Sequence, residues 1–284
     1  MIPRPSSHSK ALGPGVTGPE LLVATSAQLE RPPQPSAQRP LSGAAPFMVD
    51  MHSSADPNQH TKMPYVTGTS VLAIKYADGV MLACDTLGAY GSTKRYKSME
   101  RMQRINDRVI LAASGEISDF QYILTLLEEL TTDDFRSDDG NQLGPKEVYA
   151  YLARVMYNRR AKMDPLWNTL VVGGLEQDNT PFLGMVGMIG THYTDSHVTT
   201  GFANSLARPL MRERQRDDMS EEDALALMHD CLKICYYRDK ISINKFQVSR
   251  VTKAGVTVSE PFSLDMRWDY KLFAKPTAWA VGAW

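Results

Sequence analysis

Cysteine is nearly absent from this 284-residue chain: Cys84, Cys231 and Cys235 are the only three. Too few and too apolar in setting to form a disulfide framework, they point to a reducing compartment. A surplus of charge is lacking too, because 31 Lys and Arg against 32 Asp and Glu leave a net charge of -1. That balance gives no reason to expect binding to nucleic acid or to an anionic membrane. No run approaches the roughly 20 apolar residues that cross a bilayer, and no glycine loop of the kind that cradles phosphate is present. The first 60 residues also lack what a packed domain needs: their one aromatic residue is Phe47, and they hold ten of the 17 prolines. Without apolar surface to offset the entropy of ordering, residues 1–60 are expected to be a disordered extension. Leu21 to Ala24 is too short and too far from the start for a signal peptide, and Glu20 and Glu30 interrupt any basic presequence. The composition as a whole, 43% hydrophobic, suits one large globular domain or two small ones, soluble and intracellular.

What is present begins with a dense apolar stretch from Val66 to Asp85. Thr69 to Tyr76 is rich in β-branched and aromatic residues, Asp78-Gly79 supplies a turn and Val80 to Ala83 returns, which predicts a β-hairpin. An antiparallel pair that turns there brings Thr69 alongside Asp85, so a hydroxyl and a carboxylate share one end of a sheet. Thr86 to Arg104 reads as a polar connecting ribbon, and Arg108 to Ser114 as an apolar strand. Helical spacing follows in Ile117 to Leu130 and in Pro145 to about Lys162. Asn168 to Gly173 and Phe182 to Thr191 are predicted strands about a turn at Asp178-Asn179. Ala203 to about Arg214 and Ser220 to about Tyr237 are predicted helices, the second opened by a capping serine and three acidic residues. Phe246 to Val251 and Val256 to Pro261 pair across Lys253-Ala254-Gly255. This order of strands, two helices, strands, two helices and strands defines an α+β class in which sheets are layered with helices.

Gly68-Thr69-Ser70-Val71, the Asp78-Gly79 turn and Ala83-Cys84-Asp85-Thr86 together resemble the opening of proteasome β subunits, members of the N-terminal-nucleophile hydrolase superfamily. The resemblance implies a four-layer αββα sandwich over residues 61–262. In active members, cutting between that Gly and Thr frees a threonine whose α-amine serves as base for its own hydroxyl. Four further motifs are similar to those of a non-catalytic member of the β ring, across residues 61 to about 275. They are the segment from Met156-Tyr157-Asn158 to Leu166-Trp167-Asn168, Gly88-Ala89-Tyr90-Gly91-Ser92, Ser118-Asp119-Phe120-Gln121 and Tyr236-Tyr237-Arg238-Asp239. This implies no cofactor, and partnership with other proteasome α and β subunits in stacked seven-membered rings that degrade ubiquitin-marked proteins in cytoplasm and nucleus. Residues 1–60 would be a propeptide removed between His60 and Thr61 by a neighbouring active subunit, in the context Thr61-Lys62-Met63-Pro64.

Matched to the active members' motifs without gaps, Asp85, Asp239 and Ser242 keep their places and three positions depart. Arg101 stands where a lysine is needed, and a guanidinium can hold positive field but cannot shuttle a proton. Phe202, in Thr200-Gly201-Phe202-Ala203-Asn204, replaces a hydroxyl donor. Ile243-Asn244 replaces two glycines and is expected to crowd a backbone turn. Effects within such a unit are not additive, so the expectation is an inert Thr69 still bonded to Gly68. The alternative is an active threonine endopeptidase using Thr69. Residues 263–284 are read as a tail that docks on neighbouring subunits through Trp268, Tyr270 and Phe273, with Trp279 and Trp284 beyond. The resemblance implies that this tail reaches the opposite β ring. His192, Asp195 and His197 are read as a polar loop without a fourth convergent ligand, so no metal is expected. Cys231 and Cys235, one turn apart, read as small buried hydrophobes.

Overall fold

The computed structural model describes residues 63–137, 140 and 142–269. The chain divides into Met1–Asp56, which lies outside the described residues, and Pro57–Trp284, which holds all of them. Outside them too are His60, Thr61, Tyr270 and Phe273.

Thirteen strands and five helices make up the described residues. β1 (Val66–Gly68), β2 (Val71–Tyr76) and β3 (Gly79–Asp85) come first, then β4 (Gly88–Tyr90), β5 (Thr93–Tyr96), β6 (Met102–Arg104) and β7 (Val109–Glu116). Helices α1 (Ile117–Ser137) and α2 (Pro145–Ala161) follow, then β8 (Asn168–Leu175), β9 (Pro181–Val186), β10 (His192–Thr194) and β11 (His197–Thr199). The chain closes with α3 (Ala203–Leu206), α4 (Arg208–Arg214), α5 (Glu221–Arg238), β12 (Phe246–Thr252) and β13 (Gly255–Val258).

The strands form two antiparallel sheets. One has the order β10-β9-β8-β7-β1-β4-β5 with β6 also on β7, and the other β11-β2-β3-β12-β13. Period-two alternation decides what faces what. In β2, Val71 and Ala73 lie between the sheets with Leu82, Ile110, Val171 and Leu183, whereas Leu72, Ile74 and Tyr76 pack outward with Ala203, Met211, Leu227 and Met228 of α3 to α5. On the far side, Val109, Leu111, Leu170 and Val172 meet Phe120, Ile123 and Leu127 of α1 and Val148, Leu152 and Met156 of α2. Each sheet is therefore apolar on both faces and each face is covered, which is the four-layer αββα sandwich. Cys231 and Cys235 are buried in the α5 layer, as their spacing suggested.

Several local expectations need correction. The strand expected from Thr69 to Tyr76 begins at Val71, and Val66–Gly68 ahead of it is a separate strand: the chain leaves the eight-stranded sheet after Gly68 and enters the five-stranded one at Val71. Thr86 to Arg104 is not a bare ribbon but carries β4, β5 and β6; the exposed Thr93, Lys94 and Arg95 of β5 suit the sheet edge that it forms. The helix expected from Ala203 to Arg214 is broken at Ala207, where Pro209 removes an amide. The strand expected from Phe182 to Thr191 stops at Val186, because Gly187 to Gly190 turns back on itself. His192 and His197 lie on β10 and β11 rather than in a loop, and His197 is buried. Ser220 caps α5 by accepting the Asp223 amide at 3.2 Å, as its position implied.

Candidate functional site

The register of the two sheets brings the candidate residues to one end of the sandwich. Val71 opposes Cys84, which leaves Ser70 and Asp85 as the next pair at the end of the β2–β3 hairpin. In the other sheet β6 and β1 lie in succession along the same edge of β7, on residues 110–112 and 115–116. Arg101 occupies the gap between them, its carbonyl accepting the Ala113 amide at 3.0 Å. From there its side chain runs inward to the point where the chain changes sheets.

Arg101 is fully buried and is the largest side chain so enclosed. Its Nη1 donates to Asp85 Oδ1 at 2.5 Å and to the Asp85 carbonyl at 3.2 Å. Nη2 donates to the carbonyls of Thr69, Ser70 and Ala113, the last two at 3.2 Å. Nε has no acceptor among the described residues, and the guanidinium lies so close over Gly68 that a Cβ placed there would be 2.8 Å from Arg101 Cζ. Gly68 thus has a local purpose in this chain, to let the guanidinium pass over its Cα. Burial pushes the Asp85 carboxyl up, against the opposing pull of Arg101 and of the Ile243 amide, which donates to Asp85 Oδ2 at 3.2 Å.

The Thr69 hydroxyl faces the other way and donates to Asp239 Oδ2 at 2.6 Å. Asp239 in turn accepts the Ile241 amide on Oδ1 at 2.8 Å. This bond fixes the direction in which the Thr69 hydroxyl points. Ser242 keeps its sequence position but turns away, donating to the Asp239 carbonyl at 2.8 Å. The crowding expected at Ile243-Asn244 does not occur. Neither residue has positive φ, and the Asn244 amide group instead holds Leu264 through Oδ1 to its amide (2.9 Å) and Nδ2 to its carbonyl (2.8 Å). Phe202 stands 63% exposed at the rim of a mostly apolar cavity of about 390 Å³. Thr69, Gly115, Asn168, Met188 and Asp239 also line it. Gly115 has a φ of 93° and abuts the Trp167 carbonyl, a place no side chain fits.

Sequence reasoning missed the residues upstream of the threonine. β1 is inserted between β7 and β4, with Thr67 opposite both Glu116 and Ala89. Glu116, 3% exposed, accepts the amides of Tyr65 and Val66, the latter at 3.1 Å, and the Ser118 hydroxyl at 3.1 Å. Asn168 Nδ2 braces the same corner, donating to the carbonyls of Ser114 (3.1 Å) and Glu116 (2.7 Å). A charged residue ending an otherwise apolar strand, Val109–Glu116, was the one signal available.

Of the tail, only its first residues are described. Trp268 lies against Tyr236 and Tyr237 of its own α5, ring centroids 5.9 and 5.0 Å away, and is 51% exposed. Its near face therefore belongs to its own domain rather than to a neighbour. Among the described residues no group of His, Cys, Asp and Glu could hold a metal, and no helix is long and apolar enough to cross a membrane.

The profile of the family described as "Proteasome subunit" matches residues 65–251, and the chain belongs to that family. Its members assemble as α and β subunits into stacked rings that make up a protease complex. Within it the likeness is to β type-4 subunits. That of Arabidopsis thaliana is 53% identical over 82% of this chain and 95% of its own length. The Xenopus laevis subunit is 42% identical over 80% and 94%, and that of Dictyostelium discoideum 46% over 73% and 80%.

Proposed function

We propose that this chain is a structural, non-catalytic β subunit of the 20S core particle. The observation that carries the reading is the buried Arg101 guanidinium, fastened at once to the Thr69 carbonyl and to the Asp85 carboxylate. A free threonine needs an amine or another base beside its hydroxyl, and here the nearest cation keeps its proton. The Thr69 nitrogen is in a peptide bond to a strand paired on both sides, so its amine is unavailable as base. The subunit's work is then geometric: filling its place in the β ring and clamping that ring to its opposite.

The same reading makes residues 1–60 a propeptide removed between His60 and Thr61, makes residues 263–284 the clamp, and puts the particle in cytoplasm and nucleus. The exposed half of Trp268 supports the clamp. The test is to treat purified core particles with an electrophilic peptide that traps threonine nucleophiles and to weigh this subunit. No adduct on Thr69, and unchanged peptidase rates in Thr69→Ala particles, are expected. An acylated or alkylated Thr69 would sink the proposal in favour of an active threonine endopeptidase.

A further inference from the structure

Glu116 is a buried carboxylate that no part of the degenerate site uses. It sits 3% exposed at the end of β7, and its two oxygens are spent on the main chain of the segment that enters the domain. Both the Tyr65 and the Val66 amides donate to it, and the Ser118 hydroxyl holds it from behind. Immediately downstream, β1 pairs with β7 on one side and with β4 on the other. Tyr65 also stacks on Tyr90 of β4, ring centroids 6.4 Å apart. Upstream of Tyr65 this fastening stops: Met63 is exposed and has no such bond among the described residues.

We propose that the Glu116 carboxylate is the stop that sets how far the N-terminal segment of this chain can be trimmed. A peptidase takes its substrate as an extended strand and needs free backbone on both sides of the bond it cuts. Residues from Tyr65 onward have their backbone groups committed to the sheet and to Glu116. A cut between His60 and Thr61 leaves four residues, Thr61 to Pro64, ahead of the first clamped amide. Cuts further along, Gly68-Thr69 included, require β1 to leave its sheet first. The trimming step is hydrolysis of one peptide bond: water adds across it, leaving a carboxylate on the released segment and an α-amine on the retained chain.

The proposal rests on the reading that the segment is removed, and the experiment separates the two. Core particles carrying the full chain, wild type, Glu116→Ala or Glu116→Gln, are purified and the subunit's N-terminus is read by intact mass. They are then exposed to proteinase K and weighed again. Wild-type N-termini should lie upstream of Tyr65 in both measurements. Glu116→Ala should yield N-termini within residues 65–69, and Glu116→Gln, which keeps one acceptor oxygen, a mixture. A wild-type chain left untrimmed in the particle counts against propeptide removal, while its proteinase K product still decides on the clamp. Wild-type fragments starting at 65–69, or a Glu116→Ala chain trimmed at the wild-type position, overturn the proposal. Should Glu116→Ala fail to assemble, hydrogen exchange in wild-type and Glu116→Gln particles decides. The Tyr65 and Val66 amides should exchange on the order of tenfold faster in the variant, with β7 and β8 unchanged. Equal rates overturn it.

Discussion

Replacing Arg101 by methionine keeps an apolar stem of similar length and deletes the charge. Asp85, with 3% of its side chain exposed, would retain only the Ile243 amide, and the carbonyls of Thr69, Ser70 and Ala113 would each lose a donor. Breaking a buried ion pair by removing one partner costs roughly 3–5 kcal/mol, because the other charge stays behind unpaired. At about 2–4 °C per kcal/mol for a domain of this size, the melting temperature should fall by roughly 6–20 °C. Urea denaturation of the full-length chain followed by tryptophan fluorescence measures the loss. Asp85→Leu combined with Arg101→Met should recover much of it, since an apolar pair replaces a desolvated ionic one. Acidification gives a second reading. Burial already pushes the Asp85 carboxyl up, and without Arg101 it rises further above its unfolded value near 3.9. The folded variant then binds that proton more tightly than the unfolded one, so the deficit should narrow as pH falls from 7 toward 5. A loss below about 1 kcal/mol, or a deficit that widens on acidification, refutes the account of Arg101 as a buried counter-ion.

Gly68→Ala should cost roughly 1–3 kcal/mol by overpacking against the Arg101 guanidinium, and a neutral melting temperature would show that the arginine can move aside freely. Burial pushes the thiols of Cys84 up to about 11 and of Cys231 and Cys235 up to about 12. None of the three should therefore be alkylated by iodoacetamide in the native chain at pH 7.5, while all should react after denaturation; rapid native labelling would contradict their burial. Burial also lowers the His197 and His229 pKa values below the unfolded 6.5. Each contributes stability that is present above pH 6.5 and lost as pH falls through 6.5 toward the folded value. His197→Gln should flatten the fall in the urea midpoint between pH 7 and 5, and an unchanged slope would mean that His197 does not titrate on unfolding.

Elements with strong local periodicity were legible in advance. The α2 and α5 helices, the Asp78-Gly79 turn and the final hairpin all fall where spacing and turn residues put them. Boundaries failed where a tertiary partner overrode local pattern: β4, β5 and β6 are only three or four residues long, and are strands because β1, β4 and β7 respectively offer edges to pair with. At the site, Asp85, Arg101 and Asp239 were identified by position; Arg101 and Asp239 meet Thr69 directly, and Asp85 reaches it only through Arg101. Ser242 and Asn244 were assigned roles that the backbone redirects, because hydrogen bonds to Asp239 and Leu264 were invisible to spacing.

From the chain of residues alone came the class of fold, the family likeness and the exchange of a proton-shuttling lysine for an arginine that cannot serve. Those depend on residue type and local order, which a string of letters carries in full. The tertiary structure alone decided that the backbone switches sheets at Thr69, that Gly68 is a passage for the Arg101 guanidinium, and that Glu116 holds the strand before the threonine. Each of these is a contact between residues 31 to 51 positions apart; the Glu116 contact closes when β1 pairs with β7 in one sheet, and the Arg101 contacts close where the chain passes from that sheet to the other.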